Sequence, residues 1–224
     1  MFVCGVPKDS SEFARVLKVE QRLFGELSLP PAMAHQMFDF RPEIYAALVG
    51  PDDSVAAYSS IYPLKKKWAD AFVAGDVTEP DLTTTMLLTR QDCHERSSIY
   101  IGSVVVGGDY DPITKSVLLA SMLSWRVQQL HHVSVGRLSV MMTAVTRQGE
   151  RMIRKFGAKQ LNGGTQRKDG YAVYGREVTP RFLYRATLVM DKCLNSGLVE
   201  MNRDFVPKMC APVCSPALAA GALS

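Results

Sequence analysis

Side chains that can exchange protons cluster just ahead of the most apolar segment of the chain, residues 98–106. His94 and Glu95 precede this segment, Tyr100 lies within it, and Cys93 is beside them. Glu95 is the best general base by its chemistry, His94 by its usual pKa near neutrality, and Tyr100 by its position on a regular strand. Cys93 and His94 are not predicted to form a nucleophilic pair, because neighbouring strand residues point to opposite faces. A purely structural role is the alternative for each residue.

A turn of short polar residues follows that segment and opens the next predicted helix. It contains Asp111, Thr114, Lys115 and Ser116. Small side chains at a helix N-terminus leave backbone amides accessible, and the helix dipole favours an anion there. The carboxylate of Asp111 would repel that anion. The turn therefore predicts either a phosphate-binding site or a structural connection between strand and helix.

Basic residues concentrate late in the chain, although the net charge of the whole protein is only +4. Between residues 147 and 168 the only acid is Glu150, and the bases are Arg147, Arg151, Arg154, Lys155, Lys159, Arg167 and Lys168. Such an excess attracts phosphate, an acidic partner or nucleic acid, and a solvated surface is the alternative. Nucleic acid is the least favoured, because base stacking calls for several aromatic residues among the basic ones.

The elements that must position these residues alternate between helices and strands. Hydrophobic spacing, turn chemistry and capping residues predict helices over 9–25, 67–73, 112–130 and 146–157, and strands over 43–49, 54–62, 98–106, 137–145 and 171–178. Strand 98–106 is apolar on both faces, which is typical of a central strand. A possible lid or third strand is predicted between residues 64 and 96.

Length and composition favour one globular domain. The chain has 224 residues, of which 47% are hydrophobic and 21% charged. We expect a domain over 8–180, a helical extension over 181–206 and a disordered tail over 207–224. The start lacks the features of a secretory signal, and five cysteines without regular spacing fit reduced thiols, so we expect a cytoplasmic protein without a membrane span. Cys210 and Cys214 lack companion ligands, so no metal site is predicted.

The order of strand, turn, long helix, strand and short helix between Ser98 and Ala158 resembles the acyl-CoA-binding half of the GNAT (N-acetyltransferase) superfamily. In that family the turn carries Gln or Arg, then Gly, then Gly or Ala, at the positions of Asp111, Thr114 and Ser116 here. The last helix of the family signature carries Asn, Ala, Tyr and Gly-Phe, and the corresponding residues in this chain are Thr146, Gly149, Ile153, Gly157 and Ala158.

The resemblance implies an α/β (α+β) fold, with a mixed, mostly antiparallel sheet flanked by helices. It implies acetyl-CoA or another acyl-CoA as donor, without a metal. The donor would contact Val104, Val105 and Val106 on the central strand, Thr114, Lys115 and Ser116 at the turn, and Thr146 at the last helix. It also implies a base that deprotonates an amine, for which Glu95, Tyr100 and His94 are the candidates. Ile153 replaces the Tyr that protonates the departing thiolate, and Tyr171 and Tyr174 are candidate substitutes.

The resemblance predicts an N-acyltransferase that moves an acyl group from a thioester to an amine on a small molecule or a protein. A weaker resemblance, through Arg22-Leu23-Phe24 and Phe38-Asp39-Phe40, is to N-acyl amino acid and acyl-homoserine-lactone synthases, which implies an acyl carrier protein as partner. A catalytically silent binding or regulatory protein on the same fold is the second alternative. A homodimer is left open.

Overall fold

The structure is a computed structural model and describes residues 1–89, 96–133, 137–164, 167–193 and 199–201. The strands in this part of the chain are β1 (Phe2–Gly5), β2 (Tyr45–Val49), β3 (Val55–Leu64), β4 (Arg96–Val106), β5 (Arg137–Thr143), β6 (Lys159–Asn162), β7 (Val173–Val178) and β8 (Val199–Met201). The α-helices are α1 (Ser10–Phe24), α2 (Pro31–Phe40), α3 (Lys66–Ala74), α4 (Pro112–Val133), α5 (Arg147–Lys155) and α6 (Pro180–Cys193). None of these helices is long and apolar enough to cross a bilayer.

The eight described strands form one sheet in the order β6-β7-β5-β4-β3-β2-β1-β8. Its pairs are antiparallel except β4 with β5 and β1 with β8, which are parallel. The predicted mixed, mostly antiparallel sheet is confirmed, and β4 is a central strand as its two apolar faces indicated.

Helices cover both faces of this sheet. On one face, aromatic side chains from α1, α2 and α3 pack against tyrosines of the sheet, and Phe13, Phe38 and Phe72 are each less than 8% exposed. On the other face, α4 and α6 cover the sheet with side chains such as Trp125 and Leu183. Burial of these apolar surfaces is the main force that holds the helices on the sheet.

Local signals explain where the helices begin and end. Asp9 caps α1 by accepting a hydrogen bond from the Glu12 amide at 2.8 Å, and Thr146 caps α5 by accepting one from the Gly149 amide at 3.0 Å. Gly157 follows α5 with φ 84°, a left-handed conformation that glycine adopts without strain. Pro31 begins α2, a helix that the sequence analysis did not predict.

Two strands outside residues 8–180 belong to the same sheet as the predicted domain. β1 precedes residue 8 and β8 follows residue 180, yet both are strands of the sheet. Of the described residues in the predicted helical extension, 181–206, those up to Cys193 are helical, whereas Val199–Met201 is a strand that pairs with β1. The predicted tail, 207–224, lies outside the described residues. Residues 83–89 are not a regular strand, since they contribute only an isolated bridge from Leu87 to Leu64 and a short 3-10 turn.

A buried arginine joins the long helix α4 to the sheet. Arg126 is 4% exposed and donates hydrogen bonds to the backbone oxygens of Glu43, Ile44 and Ser59 at 2.5–3.0 Å. Burial lowers the pKa of Arg126 to about 9. These bonds hold α4 across the start of β2, next to the strand β4 that carries the candidate site.

Candidate functional site

β4 and β5 separate part-way along their length. Their parallel pairing runs from Arg96 opposite Arg137 to Ile101 opposite Met142 and stops there, while β4 continues to Val106 in its pairing with β3. The stretch from residue 102 to 106 therefore has a neighbouring strand on one side only. A wedge-shaped gap opens on the side of β5, and backbone groups of β4 line it.

The amides of Val104 and Val106 face this gap. The Gly107 amide donates to the Ala56 oxygen on β3 at 2.8 Å. In an antiparallel pair successive amides point alternately towards the partner strand and away from it, so this bond sets the direction of every amide nearby on β4. Val105 and Ser103 then share the orientation of Gly107, towards β3. Of the three valines predicted as backbone contacts to a donor, Val104 and Val106 thus present amides to the gap and Val105 does not.

A β-bulge lies where the two strands begin to part. Opposite β3, Ser60 pairs with Ser103 and Ile61 with Ile101, which leaves Gly102 as an extra residue. Because of this extra residue, Tyr100, Gly102 and Ser103 all line the same face of the sheet. A Cβ on Gly102 would lie only 2.8 Å from both Ser60 Oγ and Glu79 Oε1, so a side chain at this position would collide with its polar neighbours.

A cavity of about 260 Å³ lies on that face beside the bulge. Its walls come from the C-terminal part of α1, the 3-10 turn Glu79–Asp81, the ends of β4 and β5, and the loop before β7. Thr143 and Val145 line it from the β5 side, and Gly102 and Ser103 line it from β4. The cavity therefore meets the gap at the point where the two strands separate.

Glu79 reaches this cavity from its 3-10 turn. Tyr100 donates a hydrogen bond to Glu79 Oε2 at 2.7 Å, and the Tyr100 hydroxyl oxygen lies 3.1 Å from Thr143 Oγ1. Glu79 Oε1 is buried without a hydrogen bond of normal geometry in the described part of the chain. Burial raises the pKa of Glu79 to about 7, although its hydrogen bond from Tyr100 opposes that rise.

A second carboxyl group, Glu20, enters the cavity from α1. Glu20 is 2% exposed, and its one hydrogen bond within the described residues is a long one of 3.5 Å from the Ser103 hydroxyl. Burial and, second, the charge of Glu79 raise the pKa of Glu20 to about 8. Because both pKa values are raised towards neutrality, this pair of carboxyl groups can accept or release a proton near neutral pH.

The sequence analysis missed both carboxyl groups. Glu20 continues the apolar stripe of Phe13, Val16 and Leu17 on α1, and a carboxyl group at a core-facing helical position was a usable signal. Glu79 sits in a Thr78-to-Asp81 capping box, and nothing in that local pattern indicates that its side chain turns towards β4. Only the packing of the turn against the sheet brings the two together.

The turn that opens α4 already carries an anion of its own. Asp111 Oδ1 accepts hydrogen bonds from the amides of Ile113 and Thr114 at 2.9 and 3.0 Å, and Thr114 Oγ1 donates to its other oxygen at 2.5 Å. The hydrogen bonds from Thr114 lower the pKa of Asp111, so it is ionised at neutral pH. Amides that the sequence analysis assigned to a phosphate are bound to this carboxylate.

The other predicted donor contacts lie around the same end of the molecule. Ser116 donates its hydroxyl to the Pro112 oxygen at 2.8 Å, and the side chain of Lys115 is exposed. Thr146 is the exposed N-cap of α5, which follows β5 beyond the gap. Their predicted role in binding a donor stays a prediction.

The basic segment divides into two groups in the structure. Arg167 is buried, forms an ion pair with Asp169 at 2.6 Å and also donates to the Phe72 oxygen, so it is part of the core. Arg154 forms an exposed ion pair with Glu150 at 2.9 Å. The predicted basic surface therefore consists of the exposed residues on α5 and β6 together with Lys168 in the loop before β7, without Arg167.

The two tyrosines considered as proton donors lie apart. Tyr171 lines the cavity, whereas Tyr174 belongs to the core on the α4 side and donates its hydroxyl to Glu150 at 2.7 Å. Of the predicted bases, Tyr100 lines the cavity, and His94 and Glu95 lie outside the described residues. The described part of the chain contains no group of three or more His, Cys, Asp or Glu side chains placed to hold a metal ion.

Comparison with known proteins gives a match only at the level of structure. Neither a family model nor a curated protein matches this sequence. The loading GNATL domain of CurA from Lyngbya majuscula aligns with a TM-score of 0.55 and 10% identity, over 81% of this chain and 98% of that domain. The chain has the GNAT fold.

Two further structures agree with this assignment. The mosquito arylalkylamine N-acetyltransferase like 5b aligns with a TM-score of 0.52 and 9% identity over 80% of this chain and all of the other. NAA60 of Arabidopsis thaliana, solved in complex with a bisubstrate analogue, aligns with a TM-score of 0.51 and 12% identity, also over 80% of this chain and all of its own. The predicted resemblance to GNAT proteins is confirmed for the fold, and at such low identity it shows the fold alone.

Proposed function

We propose that this GNAT-fold protein is an N-acyltransferase that moves an acyl group from a thioester donor to an amine. The observation that carries the proposal is the position of the Glu20–Glu79 pair. The cavity that holds the pair opens where β4 and β5 separate, next to unpaired β4 amides. The pair thus lies beside the stretch of β4 that begins at Gly102 and has no strand partner on the β5 side.

The steps follow from these groups. The thioester would lie along the gap, with the Val104 or Val106 amide donating to its carbonyl oxygen and stabilising the negative charge that develops there. Glu79 would accept a proton from the ammonium group of the acceptor, whose nitrogen then attacks the carbonyl carbon. The C–N bond forms, the C–S bond breaks, and the second proton lost by the nitrogen reaches the departing thiolate through Tyr171 or water.

The pKa of Glu79 suits this role. A general base works best when its pKa is near the working pH, since it is then partly ionised and still basic. Burial places the pKa of Glu79 at about 7. We expect kcat/KM to rise with pH through neutrality as the carboxyl group loses its proton.

The test is release of free thiol from acetyl-CoA and longer acyl-CoAs in the presence of a panel of amines. Glu79→Gln should lower turnover by about 10²- to 10⁴-fold, the usual contribution of general base catalysis, with donor affinity within about twofold. Glu177→Gln, an exposed carboxyl group on β7, is the matched control and should behave as wild type. If Glu79→Gln keeps wild-type turnover and Glu95→Gln loses it, then Glu95, the base predicted from sequence, and not Glu79, accepts the proton.

Donor binding can be measured separately. A ligand that binds only the folded protein at 100 times its Kd adds about 2.7 kcal/mol to stability, which a thermal-shift assay detects. Stabilisation by an acyl-CoA without thiol release for any amine would favour a silent binding protein over an enzyme.

The carboxylate at the start of α4 favours a second candidate, in which the donor is carried by a protein. Asp111 occupies the amides that would meet the pyrophosphate of CoA, and a phosphopantetheine arm on an acyl carrier protein has no such group. The exposed bases of α5 would face an acidic carrier. Faster thiol release from an acyl carrier protein than from the matching acyl-CoA would support this candidate.

A further inference from the structure

The cavity wall carries more carboxyl groups than basic groups that could pair with them. Glu20 is a buried carboxyl group on its wall, Glu79 is a half-buried one whose Oε1 is buried, and Glu26 is an exposed one at its edge. Asp169 also lines the cavity, but its ion pair with Arg167 neutralises it. This leaves three carboxyl groups of the wall without an ion pair in the described residues.

Lys168, the basic residue that the described part of the chain contributes to this wall, does not offset them. Lys168 lines the cavity, but its side chain is exposed and its Nζ donates to the Asp76 backbone oxygen at 3.3 Å. Meanwhile Glu20 is 2% exposed and holds only its long hydrogen bond from Ser103. A buried carboxyl group with so few hydrogen bonds is stabilised most by a cationic ligand, because an ammonium group supplies both a positive charge and hydrogen-bond donors.

A second cavity adjoins the first. It has a volume of about 430 Å³ and shares Glu26, Ser28 and Pro80 with the first cavity. Its remaining wall is largely apolar and includes Leu29, Pro30 and Pro31. Glu26 therefore stands between a buried acidic pocket and an apolar groove.

We propose that the acceptor is an aliphatic diamine or polyamine without a carboxylate group, a substrate class that rests on the proposed function. One ammonium group enters the cavity beside Glu20 and Glu79, where it loses a proton to Glu79 and the resulting amine is acylated. The methylene chain lies against the apolar wall, and a second ammonium group pairs with Glu26 at the junction of the two cavities. A carboxylate on the acceptor would be repelled by the ionised acids of the wall and would find no cation among the described residues buried there.

Binding without a donor tests this class independently of turnover. Calorimetry compares 1,4-diaminobutane, spermidine, butylamine and 4-aminobutanoate, all with the full-length protein. We expect the two polycationic amines to bind about two- to fivefold more tightly than butylamine, because the added ion pair with Glu26 is exposed, and 4-aminobutanoate to bind most weakly. Glu26→Gln should reduce the advantage of the diamine over butylamine by about two- to fivefold, since its ion pair is exposed. Asp53→Asn, in an exposed turn, should leave that advantage unchanged.

The outcomes separate this inference from the proposed function. Equal binding of 1,4-diaminobutane and butylamine, or tighter binding of 4-aminobutanoate, overturns the acceptor class even if thiol release with other amines supports acyl transfer. Selective diamine binding that depends on Glu26 supports the class, and an accompanying failure to release thiol from any acyl thioester would refute only the proposed enzymatic activity.

Discussion

Replacing Glu20 with glutamine should stabilise the protein at alkaline pH. A tenfold change in proton affinity equals about 1.4 kcal/mol. The pKa of Glu20 rises from 4.5 to about 8 on burial, so its ionisation opposes folding by at most roughly 5 kcal/mol. The glutamine amide removes this charge but still loses its own hydration. We therefore expect Glu20→Gln to be more stable than wild type by roughly 2–4 kcal/mol at pH 9.

The sign of the pH dependence follows from proton uptake. Below pH 4.5 the carboxyl group is protonated in both the folded and the unfolded chain, so Glu20 contributes no pH dependence there. Between pH 4.5 and about 8 the unfolded chain releases its proton while the folded chain retains it, and stability falls as pH rises. Above pH 8 both states are ionised, and the penalty is constant.

Urea denaturation of both proteins from pH 5 to pH 9 measures this difference. The free energy of unfolding of Glu20→Gln minus that of wild type should increase across the window. Asp53→Asn is the control, because Asp53 is exposed and asparagine tolerates its φ of 60°. Its difference from wild type should stay flat. A difference for Glu20→Gln that is independent of pH, or that falls as pH rises, would refute the burial of a charged group at this site.

Three further changes test other parts of the structure. Gly102→Ala places a Cβ 2.7 Å from the Tyr62 ring, so we expect urea denaturation to show a loss of about 1–3 kcal/mol in the free energy of unfolding, together with lower turnover. Unchanged stability and turnover would contradict the described bulge. Asp111→Asn keeps a residue that caps α4 well but removes the charge, so calorimetry should show tighter acyl-CoA binding and unchanged acyl-pantetheine binding; equal effects on both would argue against a phosphate site. Arg126→Met leaves three backbone oxygens without their donor and should destabilise the protein by roughly 3 kcal/mol or more, whereas exposed Arg151→Met should change stability by less than about 0.5 kcal/mol.

The elements predicted from sequence are those with strong local signals. α1, with Asp9 as its cap, and α5, with Thr146 as its cap, begin where those residues predicted. β4 was recognised as central because a strand buried on both faces has an almost continuous apolar sequence. The short strand β1 and the edge strands β6 and β8 were missed, because four residues or fewer give too short a pattern to read.

Some predicted functional residues stay untested. His94 and Glu95 lie outside the described residues, and the donor contacts of Thr114, Lys115 and Ser116 remain predictions. Asp111 was expected to weaken a phosphate site through its charge. Its hydrogen bonds to the helix amides add a second reason, since the carboxylate occupies the donors directly.

The sequence by itself determined the order of helices and strands, the central position of β4 and the resemblance to the GNAT fold, because periodicity and capping act over a few neighbouring residues. Tertiary structure alone decided which acids meet. Glu20 and Glu79 are separated by 58 intervening residues, and Tyr100 joins Glu79 only because a 3-10 turn packs beside β4. Burial then raises the pKa of both carboxyl groups, and burial depends on how the elements pack and not on local sequence.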